Sequence, residues 1–127
     1  MDNAKIFLVF LGSGIGGLFR YGLSTIIYEH VQRPTFPWAN LIINVSGSFL
    51  VGLLAELFET RFLVSPNIRV ALITGVLAGY TTFSSFSLET LSLFRDGEIW
   101  RALLNAFGSV ALGLGAAWLG VKLSHAF

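Results

Sequence analysis

The chain has no cysteine, so neither a disulfide framework nor a thiolate metal site is possible. Charge is scarce as well: Asp, Glu, Lys and Arg make up 12% of the 127 residues, against about 25% in soluble domains. A net charge of +1 argues against a nucleic-acid surface, which would need a basic patch. The two histidines, His30 and His125, stand at span ends with no second ligand at metal spacing. No set of nucleophile, base and orienting group appears, so an enzyme is the least favoured class. Ten-residue alternating segments are absent, and a transmembrane β-barrel reading fails with them. The N-terminus has neither the basic start nor the small-residue cleavage site of a secretory signal, and its apolar run is too long for one. It reads as the first permanent span.

What the chain does have is apolar length. Hydrophobic residues make up 54% of it, and a bilayer span needs roughly 20 of them in a row. There is room for four spans and little else. They fall near 4–28, 37–58, 67–94 and 99–124, within one transmembrane domain over 1–127. Turn signals separate them: Arg33-Pro34-Thr35-Phe36-Pro37, Val64-Ser65-Pro66-Asn67 and Arg95-Asp96-Gly97-Glu98. Proline suits a helix start, where its missing N–H costs little. Tyr28, Trp38 and Trp100 lie at span ends, as interfacial aromatic anchors do. The expected fold is an all-α integral membrane protein of four transmembrane helices per subunit.

With four spans both termini share one side. Lys5, Arg61, Arg69 and Lys122 lie towards it, and Arg20, Arg33, Arg95 and Arg101 towards the other. Four basic residues against four assign no orientation under the positive-inside rule. Either a partner fixes the topology, or copies insert both ways and pair antiparallel. Small-xxx-small patterns at Gly12/Gly16, Ser13/Gly17, Gly75/Gly79, Ala111/Gly115 and Ala116/Gly120 favour close backbone packing in a compact assembly.

The third apolar stretch, from Leu72 to Phe94, is interrupted at its middle: Gly75-Val-Leu-Ala-Gly79-Tyr-Thr-Thr-Phe83-Ser-Ser-Phe86-Ser87. Hydroxyls and irregular backbone survive at membrane depth only where protein or a water-filled cavity satisfies them. The segment from Gly75 to Thr82 is therefore a candidate break into two half-helices, whose exposed ends carry partial charges that suit ions; a continuous helix with glycines for packing is the alternative. Phe83 and Phe86, three residues apart, share a helical face. Their ring edges are electropositive and suit an anion, with Thr81, Thr82, Ser84, Ser85 and Ser87 as nearby donors. Ordinary packing is the competing role.

Further polar residues line up with this centre. Asn44, within Leu41-Ile-Ile-Asn-Val-Ser-Gly-Ser48, is either interhelical glue or a donor to a passing anion, and Asn40 suits the first role. Asn105 and Ser109 share one face of the fourth span. Arg20 lies inside the first span, where a charge costs about 2.5–3.5 kcal/mol at mid-depth, but it stands near enough to the end to snorkel. Glu89 either pairs or faces a vestibule. A proton-coupled drug exporter, the main rival class, needs an embedded carboxylate; the first span has acids only near its ends, at Asp2 and Glu29. A structural subunit of a larger complex is the third class.

The segments Gly-Leu-Phe-Arg20-Tyr, Pro37-Trp-Ala-Asn-Leu-Ile-Ile-Asn44 and Thr74-Gly-Val-Leu-Ala-Gly-Tyr-Thr-Thr-Phe-Ser-Ser-Phe-Ser-Leu-Glu89 resemble the Fluc (CrcB) family of fluoride-specific ion channels. The resemblance implies an antiparallel dual-topology homodimer in the cell inner membrane, passively exporting fluoride to relieve its toxicity through two pores lined by both subunits. It implies a third helix broken near its middle, with Phe83 and Phe86 as ring-edge fluoride ligands and Asn44 as a donor. Thr82, Ser85, Asn105 and Ser109 would lie along the fluoride pathway and Arg20 in its vestibule. A structural, untransported sodium ion would be held at the dimer centre by the backbone carbonyls of Ala78 and Thr81. Three positions depart from the family pattern: Ala78 stands where glycine is common, Ser85 where threonine is frequent, and Asn105 where some relatives carry tyrosine. Dual topology predicts that a reporter fused to the C-terminus appears on both membrane faces; location on a single face would exclude it.

Overall fold

The computed structural model describes residues 2–31 and 35–127. Arg33 and Pro34, which belong to the first turn signal and, for Arg33, to the charge balance, lie outside the described residues. Helix α1 spans Asn3–His30 and α2 Trp38–Thr60. Helix α3 covers residues 66–80 as an α-turn at Pro66–Arg69, a π-helical stretch at Val70–Leu77 and a closing turn at Ala78–Tyr80. Helix α4 is Phe83–Arg95 and α5 is Ile99–Ser124. No strand occurs among the described residues. Among the described residues four segments, counting Pro66–Arg95 as one, are long and apolar enough to cross a membrane, and the chain is a multi-pass membrane protein.

The helix ends follow from local chemistry. Asp2 accepts the Ala4 N–H at 2.9 Å, and Ser65 accepts from Ile68 at 3.3 Å with Pro66 opening the helix. Each satisfies a donor that a helix start leaves free. Gly97 turns the chain between α4 and α5 with a φ of +77°, a conformation glycine adopts without steric penalty.

Two tight helix pairs form the frame. Helix α1 packs on α3: a Cβ at Gly12 would lie 2.7 Å from the Ala71 carbonyl oxygen, and one at Gly79 would lie 2.6 Å from that of Ser13. Helix α2 packs on α5 with Gly52 against the Ala117 carbonyl and Gly120 against that of Phe49. Four of the small-residue positions named from sequence, Gly12, Gly16, Gly75 and Gly79, thus bring α1 and α3 into backbone contact. The Ala111/Gly115 pair does not act this way, since Ala111 is exposed and a Cβ on Gly115 meets nothing.

The third span is broken, but at one place only. Thr81 and Thr82 are extended, with φ/ψ of −83°/157° and −148°/122°. Gly75 and Gly79 stay helical and serve contact with α1, so they do not take part in the break. Two consecutive β-branched residues favour extended backbone. The π-helical turns preceding the break have no signal in residues 70–77.

Large apolar side chains, including Phe10, Leu18, Phe107 and Leu114, remain exposed along the outer faces. They match lipid tails; among the described residues the buried apolar core is small and mixes alanines such as Ala39 and Ala102 with Phe36, Ile43, Leu57 and Leu77. Gly52→Ala, which drives a methyl into the Ala117 carbonyl, is expected to destabilise the fold by about 1–3 kcal/mol. Gly115→Ala, in open space, should leave stability unchanged or slightly raised; thermal unfolding in detergent separates the two.

Candidate functional site

The break creates a problem of unpaired backbone, and α2 solves it. Had the helix continued, the Thr82 N–H would have gone to the Ala78 carbonyl. It donates instead to Asn44 Oδ1 at 2.9 Å, and Asn44 Nδ2 donates to the Thr82 carbonyl at 3.1 Å. One side-chain amide therefore satisfies both backbone groups of the extended residue, as a neighbouring strand would. Thr82 then caps α4: its Oγ1 accepts the Ser85 N–H at 3.2 Å and donates to Ser85 Oγ at 3.2 Å. Thr81 turns its hydroxyl back onto the Leu77 carbonyl at 3.1 Å.

These diversions leave carbonyls without their helical donors. Ala78 loses the Thr82 N–H to Asn44, and Thr81 loses the Ser85 N–H to the Thr82 hydroxyl. Carbonyl oxygens at the end of a half-helix carry partial negative charge, and a sodium ion takes oxygen ligands of this kind. The donor set at Ala78 and Thr81 thus fits a small hard cation. Backbone oxygens do not depend on the side chain, so alanine in place of glycine at 78 keeps this carbonyl. Among the described residues no cluster of three acidic, His or Cys side chains could hold a metal ion.

Beside the break lies a cavity of about 380 Å³ between α2, α5 and the start of α4. Its lining combines Asn44, Ser48 and Val51 of α2, Thr81 and Thr82 of the break, Phe83 and Phe86 of α4, and Ser109, Val110 and Ala117 of α5. The Phe83 and Phe86 ring centroids are 5.7 Å apart with planes tilted by 40°. Phe86 is half-buried, whereas Phe83 is 79% exposed in the single chain. The wall holds no ionisable side chain, so its polarity comes from an amide, hydroxyls and ring edges. Groups of this kind can solvate a small anion without a full countercharge.

A second polar chain braces α4 against α5. Ser109 donates to Asn105 Oδ1 at 3.1 Å, Asn105 Nδ2 donates to Thr90 Oγ1 at 2.9 Å, and Thr90 donates to the Phe86 carbonyl at 2.8 Å. Asn105 is buried and does not line the cavity; it links the cavity's Ser109 to the backbone of Phe86. Ser85 likewise stands behind the wall, bonded to Thr82.

Arg20 is not brought to this cavity. It is half-buried on α1, and its Nε is the buried side-chain atom without a hydrogen-bond partner among the described residues. Glu89 accepts a short hydrogen bond from Asn40, which gives Asn40 an interhelical role and keeps the carboxylate off the cavity wall. Elsewhere, half-buried Glu56 meets exposed His125 at 3.2 Å, and Glu59 meets Arg69 at 3.0 Å at exposed positions. Ser48 and Thr90 were not singled out from sequence. Ser48 is signalled by its spacing, one turn after Asn44; Thr90 has no such signal, because its role depends on α5.

The comparison with known proteins follows the same line. Residues 7–121 match the family described as CrcB-like protein, Camphor Resistance (CrcB). The chain belongs to the CrcB family. A relative from Paramagnetospirillum magneticum named fluoride-specific ion channel FluC is 52% identical over 115 residues, covering 89% of each chain. A protein of that name from Thermus thermophilus is 46% identical over 122 residues, covering 96% of each. That from Solibacter usitatus is 45% identical over 121 residues, covering 95% of this chain and 98% of the relative. In the CrcB chain the break and the aromatic side of the cavity come from one continuous run, Thr81-Thr82-Phe83-Ser-Ser-Phe86.

Asn44→Ala removes both partners of Thr82. Leaving buried polar groups unpaired costs about 1–3 kcal/mol each, so the variant is expected to unfold at lower temperature in detergent than the wild type. Asn105→Ala should be milder in its effect on the break, since it leaves the Asn44–Thr82 pair untouched.

Proposed function

We propose that this CrcB protein is a fluoride-selective channel, not an enzyme, that passively exports fluoride from the cytoplasm. The observation that carries the reading is the cavity itself: two phenylalanine rings, a backbone-bracing asparagine and hydroxyls around a small space without ionisable walls. The name shared by its relatives, fluoride-specific ion channel, supports the choice of ion.

The chemistry is that of a small anion stripped of its water. Burying an unpaired ion is prohibitive, so donors must replace the hydration shell at each position. Asn44 keeps one amide proton after bonding to Thr82, and the ring edges of Phe83 and Phe86 present positive electrostatic potential. Neither binds as tightly as a lysine would, which lets the ion leave. The driving force is the membrane potential: inside-negative voltage favours anion exit by about 2.3 kcal/mol per charge per 100 mV. No nucleotide or proton carrier is required, and a cavity free of carboxylates argues against proton-coupled drug export.

The functional unit is a pair of antiparallel chains in the inner membrane with two pores. Two features support pairing: the balanced basic residues, and a Phe83 ring that one chain leaves mostly uncovered at the rim of its own cavity. The carbonyls of Ala78 and Thr81 would hold a structural sodium ion at the centre, neutralising the half-helix ends without being transported. Arg20 would raise the local anion concentration in a vestibule.

Liposomes containing the purified protein are expected to release fluoride rapidly and to retain chloride. Phe83→Ile and Phe86→Ile should each abolish fluoride release while leaving the elution volume of the assembly unchanged. Unaltered flux in both variants would remove the aromatic pair from the pathway, and drug-dependent proton uptake by the wild type would replace the channel with an exporter.

A further inference from the structure

We propose that the Ser48 hydroxyl is a direct ligand of the permeating anion, receiving it from the Asn44 amide. This rests on the fluoride-channel reading above and names a binding group beyond the aromatic pair and the polar residues of α5.

The cavity wall carries five polar side chains: Asn44, Ser48, Thr81, Thr82 and Ser109. Most of their donors are already engaged within the protein. Thr81 donates to the Leu77 carbonyl, Thr82 to Ser85 Oγ, and Ser109 to Asn105 Oδ1. Asn44 spends one amide proton on the Thr82 carbonyl and retains the other. Ser48 has no such commitment: its hydroxyl has no hydrogen-bond partner among the described residues and is not among the buried unpartnered atoms, so it opens onto the cavity. The two uncommitted donors of the wall are therefore Asn44 and Ser48.

Their placement suits a transfer. Four residues apart on α2, they share one face and are separated by about 6 Å along the helix axis. A small anion moving that distance passes from one donor to the next without losing both. Recruiting Ser109 would first require breaking its bond to Asn105, whereas Ser48 needs only rotation of a hydroxyl.

The opposite wall makes room at this level. A Cβ on Gly113 of α5 would lie 3.5 Å from Ser48 Oγ, an ordinary van der Waals distance. Glycine leaves the Ser48 oxygen uncovered, and a small side chain is tolerated there. Beyond it the wall continues with Val51 and Ala117, which offer no donor. Ser48 is thus the last polar group of this chain before an apolar stretch.

Fluoride efflux from liposomes, measured against internal fluoride concentration, tests the assignment. Ser48→Ala is expected to lower the flux and raise the half-saturating concentration by about tenfold or more, the effect of losing one hydrogen bond to a charged group. Ser48→Thr should retain flux, and Ser48→Cys, close in size but a weak donor, should behave as the alanine variant does. Ser48→Ala combined with Gly113→Ser returns a hydroxyl from the facing wall and should recover flux, which a packing role would not produce. Wild-type flux in both Ser48→Ala and Ser48→Cys, with Phe83→Ile inactive, would overturn the role of Ser48 while leaving the channel in place. A wild-type protein that releases no fluoride would overturn both.

Discussion

The two hydrogen bonds between the Asn44 amide and the Thr82 peptide are the constraint on which the rest depends. A transmembrane helix satisfies its own backbone, and an interruption exposes groups that lipid cannot solvate. Asn44 supplies an acceptor and a donor at the right separation, so α3 can stop and α4 can restart in mid-span. The Thr82 hydroxyl then completes the restart as an N-cap. Without that arrangement Phe83 and Phe86 would follow a straight helix, and the Ala78 and Thr81 carbonyls would be occupied by amide donors.

The frame around the break is built for closeness. Helices α1 and α3, and α2 and α5, meet at glycines where backbone touches the next helix's carbonyls. Lipid tails are as apolar as leucine, so helices gain little by hiding greasy side chains from them, and association relies on contact and hydrogen bonds. Most of the large side chains accordingly point outward, and the small interior joins glycine and alanine contacts to polar links and a few large side chains such as Ile43 and Leu57. The chain Ser109–Asn105–Thr90–Phe86 is one such link. It ties the cavity wall on α5 to the backbone that carries one ring, and it accounts for a buried asparagine at 105.

Much of the site was legible because membrane depth makes polar residues conspicuous. Thr81, Thr82, Phe83 and Phe86 stand out in an apolar run, and Asn44 stands out in α2; all five line one cavity. Glycine was the ambiguous signal. Gly75 and Gly79 suggest a broken helix as readily as a packed one, and only the proximity of Gly75 to Leu8 and Gly12, and of Gly79 to Ser13, shows that they pack. Ser85 and Asn105 have the right composition for a wall but stand behind it, because their hydrogen bonds go to Thr82 and Thr90 instead of into the space.

Sequence alone determined the class, the four crossings and the mid-membrane position of the polar run, since each follows from composition and spacing along one chain. The tertiary structure decided where the third span breaks, that Asn44 braces it, that Ser109 reaches the cavity while Arg20 does not, and which hydroxyl protons remain free. Those facts depend on which helix lies beside which. A hydrogen bond between residues 44 and 82, or the clearance between Gly113 and Ser48, has no trace in local pattern until two helices are packed together.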